Sequence, residues 1–362
     1  MGGYFKNNSV YWNICAAEGF SQQNLSYWEE RIEDLERVQI DNTLYEMSQD
    51  NFSELYERIF QKKKSLHLRI LGRGKIDLAL LSNFTELKSL SIESSEQIMN
   101  IEILASFKML QELHMICDSQ ISLDFLRDIN PSLKKLSIAS YNKKKFNLDL
   151  TPISNLKKLN HLYLKEYSKN IESAVSELME IETLALRSIT KPKSLDFLSH
   201  MKSIRDLIIQ SCSFESIEAI SRLPNIRYLQ LWRLSKLYDL DVVSLLNSLQ
   251  FLFIETLNGV EKFSDISNLF KLRRIMITSC KNLRDFSGLE KSQSLTDFII
   301  QNASNADITD FIPILTNPNV KDLGIGYQKV STQQEVAELA AKYDKAIKTY
   351  SHPQFENKFE YK

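Results

Sequence analysis

Apolar residues recur along the chain in one short phrase, φ-x-x-φ-x-φ, in which φ is an apolar side chain. It reads SLHLRI from Ser65, with Ser in the first slot, then LKSLSI from Leu87, LQELHM from Leu110, LKKLSI from Leu133, LNHLYL from Leu159 and IETLAL from Ile181. It continues as IRDLII from Ile204, IRYLQL from Ile226, LQFLFI from Leu249, LRRIMI from Leu272, LTDFII from Leu295 and VKDLGI from Val320. Successive copies are 22 to 26 residues apart. The alternation within each phrase predicts a strand whose fourth and sixth residues point inward and whose third, fifth and seventh point outward. Between phrases, LDLTPISNLKKL (148–159), SIEAISRLPNI (216–226) and FSDISNLFKL (263–272) place apolar residues three or four apart, which predicts short helical or 3₁₀ turns on the back. A unit this small cannot bury its apolar face alone, so the copies are expected to stack.

The phrase and its period resemble the leucine-rich repeats of the bacterial internalin type and of the related twenty-two-residue class, over about residues 62–330. The resemblance implies an α/β solenoid of about twelve repeats with a parallel concave sheet. One departure stands out. The family places Asn eight residues after the first leucine, where it satisfies backbone groups in the turn. Here that position holds Ser95, Asp118, Tyr141, Tyr167, Ile189, Cys212, Leu234, Leu257, Cys280 and Ala303, so irregular turns are expected.

A solenoid needs capped ends. Residues 1–61 are expected to form a helical N-terminal cap, because Trp28, Ile32 and Leu35 recur at helical spacing, as do Phe52, Leu55, Ile59 and Phe60. Residues 331–362 are expected to hold a closing helix and tail. Thr332 and Glu335 give a capping-box pattern, followed by the stripe Val336, Leu339, Ala340, Tyr343 and Ile347.

Charge narrows the functional classes. The net charge is −1, which favours neither nucleic acid nor an anionic membrane as partner. The scarcity of Gly (9) and Pro (7) argues against disordered stretches. The four cysteines are widely spaced, the N-terminus has no signal-like apolar run, and no apolar stretch is long enough to span a bilayer. A cytoplasmic location is the expectation.

Candidate chemistry is thin. His67, His114 and His161 are 47 residues apart on outward positions. Rungs about 4.8 Å apart put histidines two repeats apart at roughly 10 Å, too far to share a zinc ion, so they read as polar surface residues. Cys212 and Cys280, three repeats apart, are too distant for a disulfide. No phosphate loop, nucleophile elbow or HExxH is present, LGRGKI (71–76) lacks the phosphate-loop spacing, and the KKK runs at 62–64 and 143–145 fall in or beside turns. No catalytic residue, cofactor or metal site is expected.

The outward face carries the functional expectation. Early rungs are small or polar: Ser89, Ser91, Glu93; Glu112, His114; Lys135, Ser137, Ala139; the middle gives His161, Tyr163, Lys165, then Thr183, Ala185, Arg187. From Ile204 onward the central outward column reads Ile208, Gln230, Phe253, Met276, Ile299. Beside it stand Tyr228, Trp232 and Phe251, rimmed by Arg205, Arg227, Arg233, Arg273 and Arg274. Such a patch marks an interaction surface, and aromatics, Met and Arg are the residues enriched at interface cores. Partner-binding residues are therefore expected at Ile208, Tyr228, Trp232, Arg233, Phe251, Phe253, Arg274, Met276 and Ile299. Alternatively, the tail with Phe355, Phe359 and Tyr361 folds over the patch.

The expected function is non-enzymatic protein recognition. A chain of this design resembles a bacterial immunity protein that occupies a cognate toxin. The alternatives are an intracellular scaffold or regulatory subunit bound to a housekeeping protein, and a secreted effector or adhesin.

Overall fold

A computed structural model describes residues 10–43, 45–117, 121–140, 148–303 and 305–348. Of the sequence features above, Asp118, Tyr141, the lysines 143–145 and the tail aromatics lie outside the described residues. The chain divides into two compact units, one through Leu178 and one from Met179.

Among the described residues of the first unit, seven strands of one sheet run in chain order: β1 (Tyr11–Ile14), β2 (Arg37–Asp41), β3 (His67–Gly72), β4 (Ser89–Ser94), β5 (Glu112–Cys117), β6 (Lys135–Ala139) and β7 (His161–Lys165), while the short strands Ile76–Asp77 and Ile98–Met99 pair in parallel apart from it. Each of the seven pairs in parallel with the next. The second unit repeats the arrangement with β8 (Thr183–Arg187), β9 (Asp206–Gln210), β10 (Tyr228–Trp232), β11 (Phe251–Glu255), β12 (Arg274–Thr278), β13 (Asp297–Gln301) and β14 (Asp322–Gly326). These too are parallel neighbours in order. The inward positions are closed to solvent: Leu207 and Ile209, Leu229 and Leu231, and Ile275 and Ile277 are each 0% exposed.

The back holds the expected short turns at Thr151–Asn155 and Glu218–Arg222, both 3₁₀. The stretch 263–272 differs, because it carries turns without a helix.

Residues 1–61, expected to be a helical cap, also contribute two strands of the sheet. The phrase was present as LERVQI from Leu35, but it lies 30 residues before the next copy. The excess length is taken up by the helix Gln49–Leu55 and the wider turn Tyr56–Phe60, which fill the place of a short back turn. Leu35, read as part of a helical stripe, lies beyond the helix Gln22–Glu30 and is the buried first residue of the strand phrase. Phe52, Leu55, Ile59 and Phe60 are buried as expected.

The closing helix spans Val330–Ala341, so Thr332 falls inside it and the expected capping box does not form. A tertiary contact anchors its first turn instead. The Gln333 side chain accepts from the Tyr327 N–H at 2.8 Å and donates to the Ile325 carbonyl at 2.9 Å. Val336 and Ala340 are its buried residues.

The turns after β8–β13 are regular, contrary to expectation. Ser188, Ser211, Arg233, Thr256, Ser279 and Asn302, each following its strand, are all left-handed with φ between 52° and 56°. Their geometry sends a backbone N–H to the next rung: Ser188 to Gln210, Ser211 to Trp232, Arg233 to Glu255, Thr256 to Thr278 and Ser279 to Gln301, at 2.7–3.0 Å. A main-chain ladder therefore replaces the missing asparagine side chains. The next residue in each rung is buried: Ile189, Cys212, Leu234, Leu257, Cys280 and Ala303. Left-handed backbone costs a β-branched residue most. Thr256→Gly is expected to raise stability by about 0.5–1 kcal/mol, read as a higher unfolding midpoint; an unchanged or lower midpoint would show that this turn is not strained.

Candidate recognition face

Two faces present outward side chains, one on each unit. On the first unit they form a polar network. His67 Nδ1 lies 2.6 Å from Ser89 Oγ, Ser89 Oγ donates to Glu112 at 3.1 Å, and Glu112 pairs with Lys135 at 2.6 Å. Arg69 donates to Glu93 at 2.6 Å and to Gln39 at 2.8 Å. The serine sits between the histidine and the acid, so this order does not place the imidazole between a nucleophile and its carboxylate.

The histidines are half-buried rather than open surface residues. Burial, with Arg37, His114 and Arg69 nearby, pushes the His67 imidazole down to about 3. Burial also lowers His114. His67 and His161 occupy the first outward column and His114 the second. Among the described residues no group of three His, Cys, Asp or Glu side chains could hold a metal ion. None of the described helices is long and apolar enough to cross a membrane.

On the second unit the register brings the sequence-predicted residues side by side. Ile208, Gln230, Phe253, Met276 and Ile299 are successive partners in the central column. Tyr228, Phe251 and Arg274 succeed one another in the first column. Trp232 stands in the third column between Gln210 and Glu255.

This face is less open than the alternation alone implies. Phe253 is 7% exposed, Met276 2%, Ile299 6% and Tyr228 9%. At strand spacing, large side chains on neighbouring rungs cover one another's flanks. The half-buried members are Ile208, Gln230, Trp232, Phe251 and Arg274. Tyr228 Oη donates to Gln230 at 3.1 Å, and Arg274 to Asp297 at 3.0 Å. Glu182 lies 3.8 Å from Arg205.

Arg187 was not among the expected partner-binding residues. Its guanidinium carbon lies 5.4 Å from the Trp232 ring centroid, and that of Arg233 lies 5.5 Å away. Arg187 is two strands from Trp232, so only a long side chain reaching past Gln210 joins them. Sequence spacing alone does not show that reach.

Comparison with solved structures agrees with this architecture. An internalin (InlF) of Listeria monocytogenes is 17% identical, with a TM-score of 0.54 over 86% of this chain and 87% of that one. A leucine-rich repeat protein of Leptospira interrogans is 16% identical, with a TM-score of 0.50 over 91% and 92%. No protein-family model and no curated protein matches the sequence. The chain has the fold of a leucine-rich repeat protein of the internalin type. Identities this low speak to the fold alone.

Proposed function

We propose that the outward face of β9–β13 binds a protein partner without chemistry of its own. One observation carries this reading: Tyr228, Trp232, Phe251, Phe253, Met276 and Ile299 stand in register on adjacent strands, with Ile208 and Arg274 on the same face and Arg233 against the Trp232 ring. Large aromatics and arginines on a preformed sheet are the usual anchors of an interface, since they contribute area without much ordering cost. No nucleic acid and no membrane enter this reading, because the net charge is only −1.

The particular role we infer is that of an immunity protein whose face occupies a toxin, acting in the cytoplasm where such a toxin arrives. A housekeeping partner is the second reading. Co-expression with the toxic product of a neighbouring gene decides between them. Under the first, the wild type restores growth and a Trp232→Ala, Phe251→Ala variant does not. Equal growth with and without the wild-type chain would remove the immunity role. A partner that binds only after removal of residues 349–362 would instead show that the face is occupied by the chain's own tail.

A further inference from the structure

We infer that Arg187, Trp232 and Arg233 form a receptor for a carboxylate on the protein partner, the side chain of an Asp or Glu. The inference rests on the reading that this face binds a protein, and it names the chemistry that would be recognised.

The two guanidiniums approach the Trp232 ring at nearly equal distances, 5.4 and 5.5 Å. A guanidinium stacked on an aromatic ring keeps its N–H edge available for the two-point pairing that a carboxylate accepts. Neither Arg187 nor Arg233 makes an ion pair among the described residues, whereas other cations on outward faces do: Arg274 with Asp297, Arg205 with Glu182 and Arg69 with Glu93. Among the described residues the Trp232 indole Nε1 has no hydrogen-bond partner and is closed to solvent, so the ring offers its face rather than its N–H.

The site is also preorganised. Arg233 leaves the strand in the left-handed conformation, with φ 52°, and its N–H is fixed on the Glu255 carbonyl at 2.9 Å. Its direction is set by backbone rather than by a free turn. Two cations without a carboxylate partner, both lying against one ring, define an anion site.

The test is selection of a random-sequence peptide display library on the full chain, followed by affinity measurement of the enriched peptides. An excess of Asp or Glu is the expected enrichment. Those peptides should bind R187Q/R233Q about 30-fold more weakly or worse, with R187K/R233K intermediate because the charge remains and the planar fork is lost. Arg187 is half-buried and Arg233 exposed, so both variants should keep the wild-type unfolding midpoint. Peptides without an acidic excess, or full affinity for R187Q/R233Q, overturn the carboxylate receptor. If such peptides still lose binding to Tyr228→Ala, Phe251→Ala, the recognition face survives that result. Full binding to both double variants, or no enrichment over an unrelated leucine-rich repeat protein, removes the face as well.

Discussion

Phe286→Ala is expected to lower stability by about 3–5 kcal/mol, the largest single effect of any substitution considered for this chain. Phe286 lies in the turn before Ser287–Leu289 and stacks on Phe311, with centroids 5.0 Å apart and planes at 27°. It meets Phe298 edge-on at 5.9 Å and 83°. Phe298 is an inward residue of β13, and Phe311 belongs to the turn that follows that strand. All three rings are at most 1% exposed. Truncation removes the ring that joins two back turns to the sheet, and collapse is limited because the neighbouring residues belong to fixed rungs. Phe270, 67% exposed, supplies the control: its replacement by Ala should change stability by less than about 0.5 kcal/mol. Urea midpoints of the two variants separate a keystone ring from one that merely sits on the surface. A fall below about 1 kcal/mol for Phe286→Ala would mean that the rungs repack freely.

Acidification is the second large effect. His67 is held near 3 in the folded protein, against 6.5 for a free imidazole. The unfolded chain therefore takes up this proton first as the pH falls. The stabilisation is complete above about 6.5 and declines from there toward about 3. Between pH 7 and pH 5 the loss through His67 is about 2 kcal/mol, at 1.36 kcal/mol per unit. His114, lowered in the same direction by burial, adds to it. Asp149, held down to about 2 by hydrogen bonds from Thr151, loses stability only below the ordinary carboxylate range. The window between about 5 and 6.5 therefore belongs to the histidines. Unfolding midpoints measured across that window should fall steadily in the wild type and flatten in His67→Asn. An equal slope in both proteins would place the acid sensitivity elsewhere.

The sheet was legible because its signal is periodic and redundant. Every inward Leu or Ile of a rung is confirmed by the same position 22 to 26 residues away. That redundancy fixed the register, and with it the neighbours Ile208, Gln230, Phe253, Met276 and Ile299. It failed where the spacing stretched. LERVQI carries the full phrase, yet the 30-residue step hid it behind the helical spacing of Trp28, Ile32 and Leu35. The turn ladder was misjudged for a different reason. Its hydrogen bonds are main chain to main chain, so loss of asparagine leaves no trace of what replaced it. Exposure along the face was also out of reach, because the burial of Met276 to 2% depends on tertiary packing that an alternating pattern does not encode. The same holds for Arg187, whose partner lies two rungs away.

The most direct test of protein recognition is capture from native lysate by the full chain and by a Trp232→Ala, Phe251→Ala variant with an unchanged unfolding midpoint. These half-buried residues are better probes than Phe253 or Met276, whose loss would disturb packing as well as binding. Hot-spot truncations cost about 2 kcal/mol or more each, so a partner held by this face should be retained by the wild type and be absent from the variant sample. Equal retention of the same partner by both proteins would contradict the account and move the binding surface away from β9–β13.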